Sequence, residues 1–261
     1  DRSIATEAFT LNRSEQIQLS YSHDMFKVAV SISDGHNTVQ TDFAAGPAAN
    51  DATNLAITTR IDVKLMGEWG QMKDTSAWEG EDMAAFVGAA LHYQQADTKQ
   101  VLPNRDFDTF HWTIDALVEY VGFSGMAAIY GAHADADGAA IFGADDNADQ
   151  FGVTLEVAYM VIPDKLQPFL RYDWFDPDDF DTGLGSNADD VHALTVGLNW
   201  YIKKHAAKFT IDGIWIFEYD GTVAANSVVT GTGYDSDGLG LTPLANDEDQ
   251  FALRAQFQLL F

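Results

Sequence analysis

The chain has 261 residues, 40 acidic against 14 basic, a formal net charge of -26 and no cysteine. These numbers exclude thiol catalysis, thiolate metal sites and disulfides, and they make nucleic acid a poor partner, because phosphate binding needs cationic surface. No apolar run reaches the roughly 18 residues of a transmembrane helix, and a mean hydropathy of -0.13 fits either a soluble chain or a barrel with polar lumen and loops.

The first ten residues, DRSIATEAFT, have neither the basic region nor the apolar core of a secretory leader. The chain is therefore expected to be processed or to lack its front end. Residues 1–13 read as loop. Ile17, Leu19 and Tyr21 then alternate with Gln16, Gln18, Ser20 and Ser22. A short turn at His23 and Asp24 leads to Phe26, Val28, Val30 and Ile32, alternating with polar or small residues, which makes a hairpin. Residues 34–54 read as a polar loop.

Leu55, Ile57, Thr59, Ile61, Val63 and Leu65 form the next apolar face, opposite Arg60, Asp62 and Lys64. Residues 67–82 are irregular. Val87, Leu91 and Tyr93 mark a further strand, and Phe110, Trp112, Ile114, Val118 and Tyr120 another, with His111, Asp115 and Glu119 opposite. A tight turn at residues 122–125 precedes a strand through Met126, Ala128 and Tyr130. Strands follow at Val153–Leu155–Val157–Tyr159, at Leu170–Tyr172–Trp174, at Leu194–Val196–Leu198–Trp200 and at Phe209–Ile211–Trp215–Phe217. Acidic loops lie at 137–150, 176–190 and about 220–248.

The end of the chain reads DQFALRAQFQLLF. Phe251, Leu253, Ala255, Phe257, Leu259 and Phe261 share one side, with Arg254 and glutamines on the other. The total is about eleven strands, several longer than the ~5–6 residues usual in globular sheets. Short and long connections alternate, with 67–82 breaking the regularity, and aromatic residues gather at strand ends as in an interfacial girdle. This pattern predicts an all-β, transmembrane, antiparallel up-and-down barrel forming a single domain over residues 1–261. An odd strand count does not suit a single-chain bacterial barrel, and an open edge does not suit lipid. The chain is therefore expected to be the C-terminal portion of a larger barrel, with its acidic loops outside the cell.

The segments LRYDWFDPDD, ALTVGLNWYI and FALRAQFQLLF resemble the last strands of the phosphate-selective porin O/P-type outer-membrane family, and DRSIATEAFTLNRSEQIQLSYS resembles its stretch before a descending strand. The likeness is best over 165–205 and 249–261. It implies a homotrimeric barrel of sixteen strands in the outer membrane of a Gram-negative bacterium, with about eleven in this chain. It also implies that residues 1–13 are the tail of an inward-folding extracellular loop, where Arg2, Glu7 and Arg13 could reach the constriction. Phosphate selectivity does not carry over, because the family's phosphate-selective members line the pore with many Arg and Lys residues, whereas this chain is poor in both and strongly acidic.

A porin performs no chemistry, and its selectivity rests on pore width and lumen charge. Alternation gives the pore-lining candidates Lys27, Arg60, Asp62, Lys64, His92, His111, Asp115, Glu119, Glu156, Arg171, Asp173, Asp212, Glu218 and Arg254. Their mixed signs produce either a transverse field or ion pairs that neutralise one another in the wall. No catalytic residues are expected: neither HExxH nor GxSxG occurs. Asp176, Asp178, Asp179 and Asp181 offer hard oxygen ligands for Ca²⁺, without EF-hand spacing, and a solvated acidic rim is the simpler reading. Such a rim could share divalent ions with lipopolysaccharide. Phe257, Leu259 and Phe261 form the expected signal to the barrel-assembly machinery. The function expected is a water-filled channel for ions and small hydrophilic solutes, with a preference for cations. The alternatives are a structural barrel that contacts envelope components through its acidic loops, and a soluble β-sandwich or lipocalin-like binder.

Overall fold

The computed structural model describes residues 3–11, 14–35, 51–98, 105–135, 147–176, 190–217 and 249–260. A short helix, α1 (Ile4–Ala8), precedes β1 (Gln16–Ser22), β2 (Phe26–Ser33), β3 (Asp51–Met66), β4 (Ala84–Thr98), β5 (Arg105–Tyr120) and β6 (Phe123–Asp135). Then come β7 (Asn147–Tyr159), β8 (Leu166–Asp176), β9 (Val191–Lys203), β10 (Ala207–Phe217) and β11 (Gln250–Leu259). The strands form one eleven-stranded antiparallel sheet in sequence order. Each strand pairs with its chain neighbours, and β1 and β11 are the two edges, so the sheet is not closed.

Strand number and order agree with the alternation in the sequence, and several local features differ: β7 begins at Asn147, inside the stretch read as an acidic loop, and Met126 and Tyr130 of β6 turn to the polar face. Residues 4–8 are helical, because Ser3 caps them by accepting a hydrogen bond from the Thr6 N–H at 3.0 Å. β3 begins at Asp51 instead of near Leu55, since its first residues pair with the end of β4. The β5–β6 turn is Val121–Gly122, both with positive φ (46° and 79°), as a two-residue hairpin of matching twist requires. Gly125, assigned to that turn from sequence, lies in β6 beneath the ring of Phe123.

The two faces of the sheet are inverted relative to a soluble domain. On β7, Thr154 is fully buried while its neighbour Leu155 is 48% exposed. Across the sheet Gln150, Gln167, Arg171, Asp173, Thr195 and Asp212 are buried, and Ile114, Leu170, Val196, Trp200, Phe209, Phe251 and Phe257 are exposed. No second layer of described residues covers the apolar side. The sheet curls, since one cavity of about 340 Å³ touches every strand from β6 to β11. Strands of 13 residues, such as β7 and β9, run ~43 Å at ~3.3 Å per residue. Tilted by ~45° they rise ~30 Å, the thickness of a hydrocarbon core.

Two segments lie on the polar face. Residues 67–83, joining β3 to β4, sit at the end that carries the short turns. There the Thr75 carbonyl accepts from Ser124 Oγ at 2.7 Å and from Gln167 Nε2 at 3.2 Å, and Ser76 Oγ hydrogen-bonds Tyr201 at 2.9 Å. Trp78 packs edge-on to Tyr201 at 4.8 Å and is buried with it and Met160. Farther along, α1 is held through Ser3–Thr154 at 2.9 Å and Thr6–Tyr130 at 2.9 Å, and Phe9 stacks on Tyr130 at 5.4 Å.

Candidate functional site

The expected charges lie on the polar face and meet in three groups. Arg60 on β3 reaches across β4 to Asp115 on β5, making a two-pronged contact at 2.8 and 3.0 Å, and also pairs with Asp62 at 2.6 Å. The diagonal crossing is possible because Gly88, in register with Asp62 and Asp115, lies beneath it; a Cβ there would strike the Arg60 guanidinium and the Asp115 carboxylate. On β7 and β8, Arg171 lies between Glu156 (3.5 Å) and the buried Asp173 (3.4 Å). Asp173 also accepts from Thr154 at 2.7 Å and takes hydrogen bonds from Ser3 and the Ile4 N–H, so it is the socket for α1. On β10 and β11, Arg254 donates to Asp212 at 2.8 Å.

The other expected residues are placed differently. Lys27 lies 4.0 Å over the Trp69 ring, and Lys64 is 3.6 Å from Asp24. His92 and His111 face each other edge-on at 5.8 Å, and His92 hydrogen-bonds Thr58 at 2.8 Å. Glu119 accepts from Gln71 of the inner segment at 3.4 Å. Phe257 and Leu259 project from the exposed side of β11. Phe261, Glu218, Arg2, Arg13, Asp178, Asp179, Asp181 and most of the acidic loops lie outside the described residues, as does the side chain of Glu7. Asp176 ends β8, and no group of three or more metal-ligating side chains occurs among the described residues.

Several residues of the inner face were passed over in the sequence. Lys208 is one: it stands just before the strand expected from Phe209, in a β10 that begins at Ala207. Stepping back by two from Asp212 through Thr210 finds it. Gln71, Trp69, Ser76 and Trp78 come from the segment that broke the loop pattern. His205, in the β9–β10 turn, contacts Trp78 edge-on at 5.4 Å. Burial holds its pKa below the usual imidazole value, and Lys208 and Lys204 push the same way against Asp74.

Between α1 and residues 67–83 lies the 340 Å³ chamber, lined by Ser3, Thr6, Thr75, Phe169, Asn199 and Thr210 together with Glu156, Arg171, Lys208, Asp212 and Arg254. Such a chamber can hold water and a small polar solute, and none of its side chains forms a nucleophile–base pair. No protein-family model, curated protein or solved structure matches the chain.

Proposed function

We propose that this chain is the wall of an outer-membrane porin, a water-filled channel through which ions and small hydrophilic solutes diffuse. The observation that carries the reading is the inverted burial: charges and amides turned inward, and Leu, Val, Phe and Trp side chains left uncovered on strands long enough to cross a bilayer. In water that apolar surface would be an aggregation hazard, whereas in lipid it is the favoured surface. Antiparallel up-and-down order supports closure into a barrel, with further strands joining β11 to β1. The resemblance to porin O/P-type proteins points the same way and adds a homotrimer in a Gram-negative outer membrane. The acidic composition favours cations at the mouth. The test is reconstitution of the full-length protein in planar bilayers, where stepwise conductance with a cation-side reversal potential is expected. Absence of conductance from protein that shows heat-modifiable migration would overturn the reading.

One observation favours a structural barrel instead: α1 and residues 67–83 both occupy the inner face. If they seal the lumen, deleting residues 68–82 opens conductance that the intact protein lacks. If they only narrow it, the intact protein conducts and the deletion raises the current.

A further inference from the structure

The geometry points to a binding site for a small zwitterion, an amino acid with a polar side chain, in the chamber between α1 and residues 67–83. Glu156 on β7 and Lys208 on β10 both face this space and are not in contact. In register Glu156 aligns through Arg171 and Thr195 with Ile214, so Lys208 lies three strands over and six residues along, ~24 Å away in a flat sheet at ~4.8 Å per strand and ~3.3 Å per residue. Their long side chains and the curl of the sheet let both line the one cavity.

The charges around them make the site dipolar rather than cationic or anionic. Asp212 and Arg254 neutralise each other. Arg171 is shared between Glu156 and Asp173, which leaves that group with one negative charge in excess. Lys208 makes no hydrogen bond or ion pair among the described residues, lines the same cavity and offsets that excess through its electrostatic interaction with Glu156. A solute of either single sign would leave one of these charges unsatisfied. A solute carrying both signs satisfies both, its carboxylate on Lys208 and its ammonium on Glu156. Gln256, adjacent to Thr210 in the β10–β11 register and without a hydrogen bond among the described residues, adds an amide for a polar side chain. The cavity's 340 Å³ is at the small end of ligand-sized pockets, about 300–1,000 Å³.

The site rests on the channel reading only in needing a water-filled inner face. The test is calorimetric titration of the full chain, folded in detergent, with L-glutamine. Glutaric acid monoamide, which lacks the ammonium, and 4-aminobutanamide, which lacks the carboxylate, serve as single-sign probes. Glutamine is expected to bind at least about tenfold more tightly than either, the low end for a charge-assisted contact. Lys208→Gln should remove the preference over 4-aminobutanamide, Lys208→Arg should keep it, and the exposed Lys203→Gln should change nothing. Equal affinity for glutamine and the monoamide, or full affinity in Lys208→Gln, would overturn the proposal, as would no binding by folded protein that conducts. Binding by protein that does not conduct would leave the site standing and remove the channel.

Discussion

Replacing Arg171 with Met tests whether the polar face is a bonded network or a set of independent charges. Arg171 is buried and stands 3.5 Å from Glu156 and 3.4 Å from Asp173, whose side chain is 1% exposed. Removing one member of a buried pair costs about 3–5 kcal/mol, because the remaining charge is left without compensation. Two features favour the lower end. Asp173 keeps hydrogen bonds from Thr154, Ser3 and the Ile4 N–H, and Glu156 faces the chamber. A loss of about 3 kcal/mol is therefore expected for Arg171→Met, using the low end of that range. Adding Asp173→Asn removes the stranded charge while keeping an acceptor for Thr154 and Ser3, and should restore half of the loss or more. Urea unfolding of the detergent-folded protein, followed by tryptophan fluorescence, measures both. A loss under about 1 kcal/mol for the single variant, the size of an exposed pair, would refute the reasoning. So would a double variant no more stable than Arg171→Met.

Three further outcomes are expected. Leu155→Lys places a charge at the middle of β7 on the exposed side; in a bilayer this should cost about 2–4 kcal/mol, measured as reduced folding into lipid vesicles, whereas unchanged folding into lipid would contradict a membrane-facing surface. Gly88→Ala inserts a Cβ where the Arg60 guanidinium crosses to Asp115; the overpacking should cost about 1–3 kcal/mol, and the loss should shrink in an Arg60→Met background if the crossing is its cause. His205, with its pKa lowered by burial, is preferentially neutral when folded. The unfolded chain therefore binds more protons between the lowered value and the ordinary ~6.5, so stability should be full above ~6.5 and decline as pH falls below it. His205→Gln should flatten the pH dependence of unfolding in that window, and an unchanged profile would count against His205 as its source.

The strand pattern was legible because alternation is local. A side chain two residues on points the same way whatever the sheet does next, so Ile17 to Tyr21, Phe110 to Tyr120 and Phe251 to Leu259 could each be read alone. Membership of the polar face was legible for the same reason, and Arg60, Asp115, Glu156, Arg171, Asp173, Asp212 and Arg254 all lie on it. Partnership was only partly legible. Arg171 and Asp173 are two apart on one strand, but Arg60 finds Asp115 two strands away over Gly88, a distance set by register. The helix at Ile4–Ala8 escaped notice because five residues carry too little periodicity. The path of residues 67–83 was likewise invisible. Its anchors, Ser124, Gln167 and Tyr201, come from three different strands.

The sequence alone therefore determined the strands, their order and the chemistry of most faces, since these follow from neighbouring residues and a period of two; on β6 Met126 and Tyr130, which read as its apolar side, turn instead to the chamber and to α1. Only the tertiary structure decided that the charged face curls around a chamber, that α1 and residues 67–83 bound it, and that Lys208 and Glu156 both line it. The physical reason is that curvature and register bring together side chains from non-adjacent strands, and no local spacing in the chain encodes that distance.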